Sequence, residues 1–564
     1  MGFQPQAYSD PGAALVAEYE RHSTAVRRLY DGFLQRQLLA EEPEEEPADE
    51  AALFFTAGLP MEHLRNRLSV VGFEDLDRAL RNFQMIREGQ PFSQKDPQTR
   101  RALARLAPVL LELLSRVPDP DMALTNFERF ISMAAARTTV VTLLGETPGL
   151  LAPLAQLFGT SEYLTATLLR NPDQLDALLA PEPAARHGRE RLAADLRRAL
   201  DGAPPGSARL DALRRIKKAQ ELRIGLEDIL GRVDVVATQR AMTSLAEACL
   251  ETALRAAEED LRSRFGEADP GGFAIIGMGK LGGMELGYAS DLDVLFVYRE
   301  DGRTTGPERI SHPEYFSKLA DRVTKMLTSI TQEGFAYRVD SRLRPGGQKG
   351  ELAIPLAAFE THFTRLADVW ERQAYIKARP VAGDPEVGAA FMAQAHRFVY
   401  SAPEGADLAE RIHAMRQRME VERAGSRDRG SHVKLGSGGI VDIEFLVQYL
   451  QLRHGRSSPG LRMPSTLDAL RALTAAGLLG AAEAAALEES YRFLRRVEHR
   501  LRIVADLSVN TLPAVPGKLE KLAKRMGYAP QVEASAREQF LTDYEGHTKR
   551  IRAFYERVFQ QTGA

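Results

Sequence analysis

The sequence predicts a mostly helical α+β fold, and three observations carry that prediction. Through most of its 564 residues the chain is rich in Ala, Leu, Arg and Glu recurring at a helical period. Strand-like runs are confined to the middle third. There a glycine-rich turn separates one apolar run from another that opens with two carboxylates, Asp291 and Asp293.

A chain of this length suggests three or four units of about 150 residues. The first, 1–120, is helical and contains EEPEEEPADE at 41–50, an acidic, proline-broken stretch expected to be a solvated linker. A helical lead-in over 121–205 ends near DGAPPGS at 201–207. Residues 206–400 hold the strands, and 401–564 return to helices apart from a glycine-rich loop at 436–439.

Within 206–400 the run at 273–276 is β-like, glycines at 277, 279, 282 and 283 break it, and a second strand follows over 292–298. Phe316, Leu319, Val323, Met326 and Leu327 share one helical face, predicting a helix over 314–331. YRVDSRLR at 337–344 predicts a third strand. The expected order is strand, turn, strand, helix, strand.

Composition narrows the function. Lys and Arg total 74 against 77 Asp and Glu, so no overall positive field recruits nucleic acid or an anionic membrane. No basic, aromatic-bearing segment argues for a nucleic-acid partner either. The only cysteine is Cys249, which excludes an internal disulfide and a cysteine-rich zinc site and fits a reducing compartment. The first 20 residues lack a basic stretch followed by an apolar one, and no apolar run reaches the roughly 20 residues that span a bilayer. A soluble, cytoplasmic protein is expected.

One internal repeat is visible. LVAEYERHSTAVRRLYDGF at 15–33 aligns with FLTDYEGHTKRIRAFYERV at 540–558, and Glu20/Glu545, His22/His547, Arg27/Arg552 and Tyr30/Tyr555 are identical. A shared helical period matches apolar positions but not those polar ones. The chain is therefore expected to open with the closing helix of a preceding copy of its own module; coincidence between two amphipathic helices is the alternative.

The chemistry lies at 277–298, GMGKLGGMELGYASDLDVLFVY. Alternate side chains of a strand share a face, so Asp291 and Asp293 point one way while Leu292 and Val294 point into the core. Two carboxylates held that close repel unless a cation sits between them, and hard oxygen ligands suit Mg²⁺, which also takes phosphate oxygens. A solvated strand end carrying two acids is the bland alternative. Asp340, Arg342 and Arg344 alternate in the same way, offering a carboxylate followed by two guanidinium groups. With Asp340 beside the first pair, three carboxylates can hold two Mg²⁺ ions about 3.5–4 Å apart and clamp a displacement at phosphorus. Arg342 or Arg344 pairing with an acid is the competing reading. The glycines leave backbone N–H groups free to approach phosphates, and Lys280 adds a charge. The turn is neither the dinucleotide pattern nor the Lys-Ser/Thr phosphate loop.

These residues carry a resemblance. The segment 277–298, VDSRLRPGGQKGEL at 339–352, WERQAYIKARPVAGD at 370–384, KLGSGGIVDIEFLVQYLQLRHG at 434–455 and YRFLRRVEHRLR at 491–502 together resemble glutamine synthetase adenylyltransferases. The resemblance runs from about 124 to 559. It implies a polymerase β-like nucleotidyltransferase core over 206–400, flanked by N-terminal helices and a C-terminal helical bundle, using ATP and Mg²⁺. It places the family's three acids on Asp291, Asp293 and Asp340 as catalytic and metal-binding residues. Gly277, Gly279, Lys280, Ser290, Arg342 and Arg344 fall where the nucleotide would be held. Glutamine synthetase is the implied target, and a PII-type protein and glutamine are the implied regulators.

Relatives commonly pair a module that attaches AMP to a tyrosine with one that removes it by phosphorolysis. A single module is expected here. ELGYASDLD at 285–293, GGIVDIEF at 438–445 and the lead-in at 143–179 resemble the attaching module, while GFAYRVDSRLRP at 334–345 leans toward the removing one. AMP attachment is the expected activity; AMP removal and a non-catalytic module binding glutamine synthetase or PII are the alternatives. For Asp442 and Glu444, which open the helix after the 436–439 loop, both stabilisation of the helix start and a place at the cleft stay open. Trp370 is read as a packing residue with the adenine pocket as alternative, and His499 as structural.

Overall fold

In the computed structural model the described residues are 61–88, 97–133, 137–175, 188–204, 206–365, 368–401, 407–424 and 430–561. The acidic linker and the first copy of the terminal repeat lie outside them. Helices dominate, as expected, and the strands gather between Ala268 and Gly383.

Among the described residues seven short strands form two sheets. β1 (Ala268–Asp269) pairs with β4 (Arg303–Thr304). The larger sheet runs in the order β5 (Val339–Asp340), β3 (Leu292–Tyr298), β2 (Phe273–Gly277), β7 (Arg379–Gly383), with β6 (Ala353–Pro355) also on β3. β2 is antiparallel to both β3 and β7, whereas β5 and β6 lie parallel to β3 on its other edge. The helix His312–Thr328 leads from β4 to β5, completing the expected order.

Period-two alternation divides this sheet between two cores. Phe273, Ile275, Leu292, Val294, Phe296 and Tyr298 join the helices that precede the sheet. Ala274, Ile276, Leu295 and Val297 join those that follow it. Both faces are thus covered, and polar chemistry is left to the strand ends. The face shared by Asp291 and Asp293 continues into the second core, as the sequence pattern predicts.

Buried charges fix the connections. Arg214, wholly buried on the helix Ser207–Ile229, donates to the carbonyls of Met326 (3.2 Å), Ser329 (2.5 Å) and Gly334 (2.7 Å). It thereby satisfies the C-terminal end of the helix His312–Thr328 and sets where the chain turns toward β5. Cys249 is buried in the helix Val235–Phe265, where burial pushes its thiol up to about 12, so it is the inert core residue expected. In the C-terminal copy of the repeat, His547 stacks on Phe493 and Arg552 reaches Glu556, Glu420 and Asp442, so its polar positions hold the helix Ala536–Gln561 in place. Among the described residues no single helix is long and apolar enough to cross a membrane.

Candidate active site

The register of the sheet brings the acids together. Asp293 on β3 lies directly opposite Asp340 on β5, and Asp291 stands immediately before β3. Burial, together with Asp340 and Asp291, pushes the Asp293 carboxyl up to about 6, with Lys434 and Lys280 offsetting part of the rise. At Asp340 the direction reverses. The hydrogen-bonded Arg342 guanidinium holds its carboxyl below the ordinary value against the opposing effect of burial, with Nε 2.9 Å from Oδ2 and the Arg342 backbone N–H 2.9 Å from Oδ1.

The strand expected over 337–344 is shorter than its alternation suggests. Pairing stops at Asp340, and the chain enters a turn through Pro345 and the left-handed Gly346 and Gly347. Arg342 and Arg344 therefore do not line one strand face. Arg342 folds back onto Asp340, and Arg344 is turned into its own loop, donating to Ser341 O and Oγ (both 2.8 Å) and Gly350 O (3.2 Å).

The glycine turn folds as anticipated, a short helix Gly279–Gly282 between β2 and β3. Gly279 adopts φ +51° with its Cα against Asp293 Oδ2, and a Cβ on Gly282 would collide with the Lys377 carbonyl. Gly277 packs against Val381 and Leu281. The Ser290 hydroxyl accepts from Gly287 N–H at 3.2 Å. Lys280 does not extend freely toward the acids: its ammonium is buried 2.6 Å from Glu498.

That contact belongs to a network invisible to local pattern. Glu498 also meets Arg495 (2.8 Å) and Arg502 (3.0 Å); burial alone would raise its carboxyl, but the cations outweigh it and hold it well below the usual range. Arg495 bonds the Glu285 carbonyl and Arg502 the Tyr288 carbonyl (3.3 Å), while the Tyr288 hydroxyl and Arg500 converge on Asp228. The helix Ala481–Arg502 thus clamps the loop that carries Asp291. His499 packs edge-on to Tyr288 and against Gly287, the structural part expected of it.

Lys377 joins the site without having been singled out. Lys377 bridges Glu285 (2.7 Å) and Glu444 (2.9 Å), so Glu444 faces the glycine turn. Asp442 is a buried structural acid, accepting from Arg416 (2.5 Å) and from Gly438 N–H (2.8 Å). Trp370 is 44% exposed on the helix Val369–Ile376 and does not line the cavity beside Asp291. This cavity, about 400 Å³, is lined by Asp291 but not by Asp293 or Asp340; it adjoins Ser290 and is walled by Met242, Leu286, Tyr337 and the buried Lys217–Glu221 pair.

Among the described residues no three His, Cys, Asp or Glu side chains stand as a ready metal cage. The donor set nevertheless suits Mg²⁺, which binds through one or two carboxylates plus substrate phosphates rather than in an all-protein cage. Burial first, and then Asp340 and Asp291, raise the Asp293 carboxyl, and a cation beside it would favour its charged form.

Residues 151–394 match the family described as glutamate-ammonia ligase adenylyltransferase. Over those residues the chain carries a domain of that family. Residues 406–559 match a second family, GlnD PII-uridylyltransferase. Relatives named bifunctional glutamine synthetase adenylyltransferase/adenylyl-removing enzyme include those of Thioalkalivibrio sulfidiphilus, 34% identical over 77% of this chain and 46% of the relative, and Chromobacterium violaceum, 37% over 78% and 48%. That of Mycobacterium leprae is 30% identical over 99% of this chain and 54% of its own length. The chain spans about half the length of the curated relatives it matches. All three candidate acids lie inside the adenylyltransferase-family region, whereas Glu498, Asp442 and Glu444 lie beyond it.

Proposed function

We propose that this protein transfers AMP from MgATP to a tyrosine of glutamine synthetase. The observation that carries the reading is the Asp293–Asp340 register pair, with Asp291 immediately before β3 and the Gly279 turn against Asp293, inside a region of the adenylyltransferase family. Asp291 and Asp293, with phosphate oxygens of ATP, would hold Mg²⁺, whose charge offsets that developing on the leaving group. Arg342 keeps Asp340 ionised and so able to take the phenolic proton, whose unperturbed pKa is about 10. The phenolate oxygen attacks the α-phosphorus; the new O–P bond forms as the bond to the β-phosphate oxygen breaks, and pyrophosphate leaves with that electron pair. Gly277, Gly279 and Ser290 shape the phosphate approach, and the cavity beside Asp291 gives substrate a route to it.

The relatives' names include AMP removal, which motivates a second reading. In it inorganic phosphate attacks the same phosphorus and the tyrosine oxygen leaves, giving ADP. A PII-type protein is the proposed regulatory partner, supported by the match of 406–559 to the PII-uridylyltransferase family. Glutamine remains a proposed effector from the family resemblance. Incubating the chain with adenylylated glutamine synthetase and phosphate, and assaying ADP, separates removal from attachment.

A further inference from the structure

The cations that the sequence offers to phosphate are already committed. Lys280 is buried against Glu498, Arg342 holds Asp340, and Arg344 donates into its own loop. A nucleoside triphosphate brings about four negative charges, more than a carboxylate-rich edge can accept without further positive charge. One lysine near that edge is differently placed. Lys434, at the start of the KLGSGG loop, is half-buried and forms no ion pair among the described residues.

Its backbone is fixed from several sides. Val433 N–H donates to Asn510 O (2.8 Å), Val441 N–H to Lys434 O (3.1 Å), and Arg416 to Leu435 O (3.0 Å) and Gly436 O (2.9 Å). Gly438, at φ +71°, packs so tightly on the Thr548 carbonyl that no side chain fits there. The helix that follows this loop is joined to the acids by a series of contacts. Lys434 precedes the helix Ile440–His454, whose Glu444 pairs with Lys377; the Lys377 carbonyl abuts Gly282; and Gly279, at the other end of that turn, abuts Asp293. The Lys434 charge acts accordingly on Asp293, Glu444 and Lys280, which sit on three different elements.

We infer that Lys434 is a phosphate-binding residue of the nucleotide site, delivered to the Asp293 edge by the C-terminal helical region. This rests on the AMP-transfer reading above and deepens it: the acids come from the region matching one family, and the cation facing them from the region matching another. The nucleotide site is then complete only when the two regions are docked, which the Glu498 and Lys377 networks accomplish. A fixed loop suits this task because an ammonium held in place loses little further freedom when it meets phosphate.

The test compares triphosphate with monophosphate binding in the full-length chain. Binding of α,β-methylene-ATP and of AMP, each with Mg²⁺, is titrated calorimetrically for the unaltered protein, Lys434→Met and Lys434→Arg, with thermal melts as the folding control. Lys434→Met should weaken the triphosphate analogue roughly tenfold or more, as expected for loss of a charge-assisted contact, and leave AMP within about twofold. Lys434→Arg should retain most triphosphate affinity. Equal analogue affinity in Lys434→Met and the unaltered chain, or parallel loss of analogue and AMP, overturns the assignment while leaving the AMP-transfer reading standing. If the unaltered chain binds neither nucleotide, both fall together.

Discussion

A Cβ placed on Gly279 would stand 2.5 Å from Oδ2 of Asp293. The glycine, at φ +51°, is what allows the turn to lie on the carboxylate. Gly279→Ala should therefore displace the acid and strain the backbone. AMP transfer should fall by about a hundredfold or more, against a stability loss of roughly 1–3 kcal/mol, measured by initial rates and urea denaturation of the same preparation.

Asp293 sets function against stability. Its carboxyl rises from 3.8 to about 6 in the folded protein, so the folded state binds that proton more tightly than the unfolded chain does. The resulting stabilisation is complete below about pH 4 and is lost as pH rises through about 6. With Mg²⁺ chelated, Asp293→Asn should be more stable than the unaltered protein by roughly 1–3 kcal/mol at pH 8, the gap closing toward pH 4, while transfer is abolished. Calorimetric melts at the two pH values check the sign.

Glu498 is 1% exposed among Lys280, Arg495 and Arg502. Glu498→Gln leaves buried cations without their counter-charge and should cost about 3–5 kcal/mol. The loop carrying Asp291 should loosen with it. Hydrogen exchange at 284–291 should rise in the variant even where the rest of the sheet stays protected.

Arg342 is 67% exposed, so its removal should spare the fold. It holds the Asp340 carboxyl below the ordinary value, and Arg342→Ala should let that carboxyl rise. If Asp340 takes the phenolic proton, the acid limb of the kcat/KM profile should move to higher pH in the variant. An unmoved limb would assign the proton to another group.

What was legible in the sequence had a short-range cause. Alternation predicted one face for Asp291 and Asp293, and β3 carries Asp293 with Asp291 immediately before it; the glycines announced the turn because a left-handed residue at 279 and a close approach at 282 both demand them. The extended pattern at 337–344 was misleading because alternation cannot register where pairing stops; Pro345 and two left-handed glycines end it. Long-range partners left no local mark. Lys280 reads as a free cation in its glycine loop, yet its counter-charge, Glu498, lies 218 residues further along. The quoted motif at 491–502 held those buried charges without revealing that they clamp the loop of Asp291.

AMP transfer is proposed to run at the Asp291–Asp293–Asp340 edge. Its most direct measurement incubates the purified chain with glutamine synthetase, Mg²⁺ and α-labelled ATP, alongside Asp293→Asn. Label should accumulate on a glutamine synthetase tyrosine without added phosphate, release pyrophosphate in equal amount, and vanish in the variant. An unlabelled target, with ADP instead released from adenylylated glutamine synthetase when phosphate is supplied, would contradict it.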